Sequence, residues 1–334
     1  MILVTGGTGL IGSHLLFHLL KNGNKVRSNF RTKESIDKVR KVFGYYSGNA
    51  SQLVDQIDWV QGDITALGGL DALFEGVEQV YHCAALISFD PKDYKLLKQT
   101  NVQGTAHMVN LSLKYGVKKL CYVSSIAAIG PSLKQAKVTE DTEWNDANAT
   151  VYGITKYDAE LEVWRGSQEG LSVVIVNPGV VIGPGFWKSG SGSFFSYASK
   201  GKKYVIPGGT GFVTVNDVIK AMTRLMDSNI QTERFILVDQ HMSYANLLKK
   251  IAPQLGVEPP QKVIPKFWLE LFWRWDWVRS TIFGKRRRLS KAVAKGLYQE
   301  EYYSNEKIKS QLNFTFEDMD ESIAFCCQMF TGNR

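Results

Sequence analysis

The chain opens with a short apolar run, a glycine-rich turn and a segment whose leucines recur at helical spacing. This order predicts a buried strand, a tight turn and a helix. Glycines in such a turn let a pyrophosphate approach the backbone, and the free N–H groups at the helix start face its phosphates. The first gap of the Gly-x-x-Gly-x-x-Gly pattern is one residue wider than in the commonest dinucleotide-binding form. We interpret the segment as a dinucleotide site built from Gly6, Gly9, Leu10, Ile11 and Gly12.

The composition is that of a globular α/β protein, with 44% hydrophobic and 22% charged residues among 334. A chain of this length buries a large core in one or two domains. We expect no signal peptide, because the glycine motif begins at once. No apolar run is long enough to span a bilayer. The four cysteines lack metal-like spacing, so we expect no metal site, no disulfide framework and a cytoplasmic location.

The net charge of +8 is unevenly spread, and residues 285–288 form a tight basic block. A basic chain favours anionic partners such as the phosphates of NADP, nucleic acid or a membrane surface. No nucleic-acid-binding motif accompanies the charge, so we do not expect a nucleic-acid partner.

Apolar runs and helical patterns alternate strictly along the first half of the chain. After the first strand we predict strands at Lys25–Phe30, Ile57–Gln61, Gln79–Cys83, Lys118–Val123 and Ser172–Val176, with long helices over about 91–115 and 152–169. The alternation predicts an α/β fold with a doubly wound parallel sheet of the Rossmann type. We expect an NADP-binding domain over 1–176 plus about 206–239. A smaller mixed C-terminal region, over about 177–205 and 240–330, is expected to bind substrate.

Residues at the predicted strand ends are candidates for cofactor contacts, because ligands of parallel sheets bind there. Arg31 follows the second strand, where an acidic residue would bind the ribose hydroxyl of NAD and an arginine the 2′-phosphate of NADP. We therefore expect NADP rather than NAD, the alternative being a solvated surface charge. Asp63 either contacts the adenine amine or caps a helix over Leu67–Phe74. Further candidates are Ile64, Ala84, Ala85, Pro178, Gly179 and Val180.

Tyr152 and Lys156 stand four residues apart on a predicted helix, so they share one face. A nearby lysine stabilises a phenolate and lowers the pKa of the tyrosine, which then exchanges protons near neutral pH. Ser125 ends the fifth strand, where its hydroxyl can hold a substrate carbonyl. Tyr-x-x-x-Lys occurs at three other places, so the position of this pair selects it: only its helix follows the strand that ends in two serines. His82 is interpreted as a buried strand-end residue.

Several motifs in combination resemble the extended short-chain dehydrogenase/reductases. They are Thr5–Gly12, Asn101–Thr105, Tyr122–Ser125, Tyr152–Lys156 and Asn177–Gly179, and the likeness covers roughly residues 1–240. The resemblance implies that Tyr152 is the general acid/base, that Lys156 also holds the nicotinamide ribose and that Ser125 orients the carbonyl. It also implies that Asn101 organises the long helix near the site, and that the protein is a homodimer through its two long helices.

Within that family, Arg31 and the segment His82–Phe89 are most similar to the dihydroflavonol reductase and 3β-hydroxysteroid dehydrogenase branches. We therefore expect an NADP-dependent oxidoreductase that interconverts a ketone and a secondary alcohol on a fairly apolar small molecule. A nucleotide-sugar epimerase or dehydratase is the alternative, although such enzymes more often carry an acidic residue at the position of Arg31. A non-catalytic NADP-binding regulator is a further alternative.

The segment Pro265–Phe283 contains four of the eight tryptophans, and the basic block follows it. On a helical wheel eight of its apolar residues form one wide stripe, broken only by Arg279, and the opposite face carries charged residues together with Trp273 and Trp277. This stripe comprises Phe267, Trp268, Leu271, Phe272, Trp275, Val278, Ile282 and Phe283. Three interpretations stay open: a core helix of the smaller domain, a peripheral membrane contact through 265–288, or a lid or partner surface over an apolar substrate. The glycine-rich segment Pro207–Gly211 is interpreted as a turn.

Overall fold

The computed structural model describes residues 1–66, 68–130, 137–146, 149–284, 286–287, 289–298 and 300–332. Its strands are β1 (Ile2–Thr5), β2 (Val26–Phe30), β3 (Asp58–Gln61), β4 (Gln79–His82), β5 (Lys119–Val123), β6 (Val173–Pro178), β7 (Val180–Ile182), β8 (Tyr204–Val205), β9 (Gly209–Thr214), β10 (Glu233–Leu237), β11 (Gln240–Ser243) and β12 (Lys262–Val263).

The α-helices are α1 (Leu10–Lys21), α2 (Glu34–Gly44), α3 (Ala50–Asp55), α4 (Asp71–Phe74), α5 (Tyr94–Leu97), α6 (Gly104–Lys114), α7 (Val151–Gln168), α8 (Gly192–Ala198), α9 (Val215–Asp227), α10 (Tyr244–Ile251), α11 (Lys266–Phe283), α12 (Lys291–Gly296), α13 (Glu306–Leu312) and α14 (Met319–Thr331). Leu67, the expected start of one helix, lies outside the described residues, as do Lys285 and Arg288 of the basic block.

Seven strands form one parallel sheet in the order β10-β6-β5-β4-β1-β2-β3. The strands β5 and β6 are buried along their whole length, as expected for apolar runs in a sheet covered on both faces. The direction in which strands are added reverses between β1 and β4, and the crevice at their carboxyl ends is where such sheets bind ligands. The prediction of a doubly wound parallel sheet is confirmed.

Two apolar cores cover the two faces of this sheet. One contains residues of α1 and α9, such as Leu16 and Met222. The other contains residues of α6 and α7, such as Met108 and Val163. The helices are therefore placed so that their N-terminal ends, and the loops before them, surround the carboxyl edge of the sheet.

A three-stranded mixed sheet, β11-β9-β7, and the strand pair β12-β8 lie in the C-terminal half, as expected for a mixed C-terminal region. The interpretation of Pro207–Gly211 as a turn is wrong, because β9 begins at Gly209. Gly209 pairs with Ser243, and a Cβ at Gly209 would lie 2.5 Å from the Met242 carbonyl oxygen. Glycine permits this close approach of two strands, and the sequence pattern alone does not distinguish it from a turn.

The long helix expected over about 91–115 is interrupted. A 3₁₀ turn at Pro91–Asp93, α5, a π-helical segment at Lys98–Gln103 and α6 follow one another. Asn101 is buried in the π-helical segment, and its amide bonds to the backbone of Leu86 outside the helix. A π-helical turn accommodates an extra residue without ending the helix. Apolar periodicity reports which face is buried and not which carbonyl each N–H bonds, so the sequence does not reveal the interruption.

The apolar stripe of residues 267–283 lies on α11, and we call it the α11 stripe. It faces solvent, so the interpretation of this segment as a core helix is wrong. All eight of its residues are exposed, with Phe267, Trp275 and Ile282 at 71%, 65% and 68%. The helix instead buries Leu269, Asp276 and Ser280. A helical wheel identifies an apolar stripe but does not tell which side the protein covers. No helix of the described residues is long and apolar enough to cross a membrane.

Replacing Gly12 by alanine tests how closely α1 packs on the end of β1. A Cβ at Gly12 would lie 2.2 Å from the Gly6 carbonyl oxygen, so the helix would have to shift. We expect Gly12→Ala to lower the free energy of unfolding in urea by about 1–3 kcal/mol. Gly44→Ala, at an open position in α2, is the matched control and should raise stability by up to about 1 kcal/mol. Equal effects of the two substitutions would contradict this packing.

Candidate active site

The glycine turn leaves the start of α1 bare at the carboxyl end of β1. Gly6 has a φ of +70°, which suits glycine, and its N–H donates to the side chain of Asn29 in β2. The N–H of Gly9 donates to the Gly6 carbonyl at 2.9 Å and closes the turn. Gly9 then precedes α1 in extended conformation without any side-chain cap, so the first N–H groups, from Leu10 and Ile11 onward, are directed at the crevice. This is an arrangement that binds phosphate.

Arg31 lies just beyond β2 with its side chain 73% exposed, and its guanidinium is 3.9 Å from an Asp63 carboxylate oxygen. The other carboxylate oxygen of Asp63 accepts hydrogen bonds from the N–H and the hydroxyl of Thr65, both at 2.9 Å. Asp63 therefore closes its own turn and does not cap α4, which begins at Asp71, so that interpretation is wrong. Its contact with an adenine stays a prediction. Ile64 is buried next to it.

The backbone after β4 lies directly against the glycine turn. A Cβ at Gly6 would be 2.6 Å from the N and Cα atoms of Ala84, and the neighbouring Ala85 is exposed. His82 ends β4 between two threonines, with Nδ1 2.6 Å from the Thr5 hydroxyl and Nε2 3.0 Å from the Thr105 hydroxyl. Burial lowers the pKa of His82 to about 3, so the ring is neutral. The interpretation of His82 as a buried strand-end residue is confirmed.

Ser125 and Tyr152 come together because two turns pack closely. Ser125 precedes a 3₁₀ turn at Ile126–Ala128, and its hydroxyl accepts from the Ala127 N–H at 3.2 Å. Thr150 caps α7 by accepting from the Gly153 N–H, and a Cβ at Gly153 would lie only 2.9 Å from the Ala127 carbonyl oxygen. Glycine at that position lets α7 begin beside the turn, so the Ser125 hydroxyl lies near enough to the Tyr152 phenol to oppose the rise in the pKa of that phenol.

Lys156 is buried one helical turn after Tyr152. Its ammonium donates to the Tyr122 hydroxyl and, at 2.9 Å, to the Val123 carbonyl. Burial lowers the pKa of Lys156 to about 7, and nearby Glu160 partly opposes this. Burial also raises the pKa of Tyr152 to about 12. The expected lowering of the Tyr152 pKa is therefore wrong, because the ammonium is directed at Tyr122 and Val123.

Asn101 joins three segments around the site. Its side-chain oxygen accepts from the Leu86 N–H at 2.8 Å, and its amide nitrogen donates to the Leu86 carbonyl at 3.0 Å and to the Thr155 hydroxyl at 3.1 Å. The loop after β4 is thereby held against α7. In this structure Asn101 therefore positions Leu86 and Thr155.

The end of β6 also contacts Ser125. Asn177 donates to the Ser125 carbonyl at 3.0 Å and to buried Glu160, which pairs with Arg234 at 3.2 Å. Pro178 ends the strand, and a Cβ at Gly179 would lie 2.3 Å from the Gly211 carbonyl oxygen. Val180, half-buried, begins β7 directly after it. These residues therefore connect the main sheet to the three-stranded sheet.

The other Tyr-x-x-x-Lys pairs lie in different surroundings. Tyr115 donates to Asp71, and Tyr303 donates to Glu301. Tyr94 is exposed on α5. The four pairs therefore differ in their surroundings, and the selection of Tyr152 and Lys156 stays a prediction.

Three residues near this site make contacts that the sequence does not predict. Tyr122 holds the Lys156 ammonium, Asn29 holds the glycine turn, and Phe89 places its ring edge-on to Tyr152 with 5.7 Å between ring centroids. Phe89 is 46% exposed. Each contact joins segments far apart in the chain, so periodicity and local spacing do not report it.

The burial of Lys156 predicts a stability that depends on pH. Its pKa is lowered to about 7 in the folded chain, whereas a lysine in an unfolded chain titrates near ~10.4. Between these values the unfolded chain binds more protons, so the folded state gains stability as pH rises. From pH ~7 to ~9.5, we expect the unfolding free energy of the wild type to rise by more than about 1 kcal/mol relative to Lys156→Met. The unfolding free energies are measured by urea unfolding at each pH, with Lys249→Met, at an exposed position, as the control. A difference between wild type and Lys156→Met that does not change with pH would refute the prediction.

Comparison with known proteins assigns these features to a family. A family model described as the NAD dependent epimerase/dehydratase family matches residues 2–237. A putative dihydroflavonol 4-reductase from Synechocystis sp. is 28% identical over 340 aligned residues, which cover 99% of this chain and 94% of the relative. Sterol demethylase protein B of Methylococcus capsulatus is 28% identical over 79% of this chain and 77% of its own.

Among solved structures, UDP-glucose 4-epimerase from Thermotoga maritima with UDP-glucose has a TM-score of 0.78 and 22% identity, over 99% of both chains. At this identity the likeness concerns the fold alone. The family model, by contrast, spans most of the chain and confirms the resemblance read from the motifs. The chain belongs to the NAD-dependent epimerase/dehydratase family of extended short-chain dehydrogenase/reductases.

Proposed function

We propose that the protein is an NADP-dependent oxidoreductase that interconverts a ketone and a secondary alcohol on a fairly apolar small molecule. The observation that carries the proposal is the position of Tyr152 next to Ser125, with Lys156 buried one helical turn further along α7. The residues present also fit the cofactor. Backbone lies where a Cβ at Gly6 or Gly12 would be, and the uncapped start of α1 offers N–H groups to a pyrophosphate.

The side chains supply a proton and hold a carbonyl oxygen. The Ser125 hydroxyl already accepts from the Ala127 N–H, so its own proton is available to a substrate carbonyl. Tyr152, with a pKa of about 12, is protonated near neutral pH and donates its proton to the same oxygen during reduction. The positive charge of Lys156, one helical turn away, would stabilise the phenolate left behind once the ammonium turns to it from Tyr122 and Val123. A bound nicotinamide supplies the hydride in reduction and takes it up in oxidation.

Arg31 supports NADP as the preferred cofactor. Its guanidinium is exposed at the end of β2 and makes only a long contact with Asp63. An exposed guanidinium is available for bidentate hydrogen bonds to a 2′-phosphate, which a lysine or an acidic residue does not provide.

The surroundings of Tyr152 support an apolar substrate. The ring of Phe89 packs on Tyr152, and Ile87 in the same loop is exposed. Apolar side chains at the entrance favour an apolar ring system over a sugar nucleotide, whose phosphates need polar partners. The names of the two relatives, a dihydroflavonol reductase and a sterol demethylase protein, point to the same substrate class.

We also propose that the two regions expected from the sequence have different roles. Residues 1–176 and about 206–239 bind the cofactor, and residues of about 177–205 and 240–330 bind the substrate. A homodimer through the long helices is supported by exposed leucines on them, Leu96 on α5 and Leu161 on α7.

Tyr152→Phe should lower turnover roughly 100- to 10,000-fold, because it removes the proton donor. Turnover is followed by NADPH absorbance with a panel of apolar cyclic ketones, and NADPH affinity by fluorescence should change less than about 3-fold. Tyr94→Phe is the matched control, since Tyr94 has the same spacing to a lysine but lies exposed. Equal turnover of wild type and Tyr152→Phe would refute the assignment. Tight retention of NAD by the wild type without net cofactor turnover would favour the epimerase alternative.

Arg31→Ala should raise the Kd for NADPH about 10-fold, because it removes one charge-assisted contact with the 2′-phosphate. The Kd for NADH should stay within about 2-fold, since NADH has no such phosphate. Arg40→Ala, which removes a surface arginine paired with Asp37, is the matched control for net charge. A parallel loss of NADH and NADPH affinity would contradict the role of Arg31.

A further inference from the structure

The α11 stripe is an exposed apolar surface of unusual composition for a chain that folds in water. Phe267, Trp275, Ile282 and Phe283 are each more than 60% exposed. Scattered apolar residues are ordinary on protein surfaces, but a contiguous stripe of aromatic residues marks a contact surface. The stripe has no part in the candidate active site.

The side of α11 that faces the protein is held by polar contacts. Asp276 accepts from Arg279 and from the Leu289 N–H at 2.9 Å. Glu270 accepts from the Tyr298 hydroxyl at 3.0 Å. This is the reverse of an ordinary amphipathic helix, whose apolar side packs on the core. The helix is therefore attached so that its apolar side is presented outward.

The sequence segment that contains this helix carries the whole net charge of the protein. Residues 262–298 contain ten Lys and Arg and two acidic residues, a net charge of +8, while the rest of the chain contains thirty of each sign and is neutral. Both acidic residues are engaged by arginines of the same helix, Glu270 by Arg274 and Asp276 by Arg279. The segment that contains the stripe thus carries excess positive charge for a partner to bind.

We propose that α11 docks the protein on an anionic lipid bilayer, with the α11 stripe inserted at the boundary between headgroups and acyl chains. Tryptophan and phenylalanine are suited to this boundary, and lysine and arginine beside them attract anionic headgroups. The stripe runs along the whole length of α11, so the helix would lie parallel to the membrane surface.

Two other occupants fit the observations less well. A second copy of this chain would bring two surfaces of the same positive charge together, which opposes a symmetric contact. A lid would turn its apolar residues toward the substrate, whereas the α11 stripe faces away from the rest of the protein.

The docking surface is connected to the entrance of the candidate site. Arg286, just after α11, pairs with Asp93, and Lys92 donates to the Gly284 carbonyl at 3.4 Å. Phe89, in the same loop, contacts the ring of Tyr152. Docking through α11 would therefore place the entrance near the lipid surface. This last step rests on the proposed function, but the docking itself does not.

The test uses the full chain and vesicles of phosphatidylcholine with or without phosphatidylserine. We expect co-sedimentation at least roughly 10-fold stronger with phosphatidylserine and weakened by salt, because headgroup attraction is electrostatic. Lipids brominated along the acyl chain should quench tryptophan fluorescence, since Trp268 and Trp275 would lie within reach. The quenching uses the wild type and needs no variant.

A triple variant, Phe267→Ser, Trp275→Ser and Ile282→Ser, removes apolar area at exposed positions and should reduce vesicle binding at least roughly 10-fold. The control changes three exposed residues elsewhere, Tyr197→Ser, Tyr204→Ser and Tyr302→Ser, and should bind vesicles as the wild type does. Cooperative urea unfolding of both variants, as for the wild type, shows that they fold.

Three results would overturn the proposal. They are equal binding to both vesicle types, equal binding by the triple variant and the wild type, and a dimer in sedimentation equilibrium that the triple variant alone abolishes. Because none of these measurements uses turnover, their failure is distinguishable from failure of the proposed oxidoreductase activity.

Discussion

The backbone of the glycine turn lies in direct contact with the backbone after β4, and the candidate site depends on this contact. A Cβ at Gly6 would be 2.6 Å from Ala84, and the positive φ of Gly6 turns the chain toward α1. The contact occurs between β1 and β4, where the order of the strands reverses. It closes the floor of a crevice whose sides are the bare start of α1 and the ends of β5 and β6. Cofactor groups and catalytic side chains from distant parts of the sequence can therefore meet there.

Much of this arrangement is predictable because it follows from position along strands. Ser125 and Tyr152 were expected to lie together, since one ends a strand and the other begins the next helix, and the close packing of Gly153 on the Ala127 carbonyl brings them together. The partner of Lys156 was not predictable in the same way. Tyr122 lies on the adjacent strand, and only the packing of α7 on β5 decides that the ammonium reaches its hydroxyl. Burial raises the pKa of Tyr152, and the ammonium held at Tyr122 and Val123 does not offset this, against the expectation from spacing alone.

Two features depart from the ordinary rules of folding, and both have a proposed function. Lys156 is an ammonium buried with neutral oxygen partners, and the α11 stripe is an apolar surface left in water. The sequence reveals both the lysine and the stripe, but burial of the first and exposure of the second depend on the tertiary structure. Local rules are expected to fail at functional sites, where stability is given up for activity or binding.

The π-helical segment at Lys98–Gln103 constrains how the length of this chain can vary. Such a segment holds one residue more than the α-helical path it replaces. Deleting that residue would restore a regular helix, but it would rotate α6 by about 100° relative to α5. His107, whose ring bonds to the Ile64 carbonyl, and Thr105, whose hydroxyl bonds to His82, would then point away from their partners. Relatives that keep these two contacts should therefore keep the same number of residues between the loop after β4 and α6.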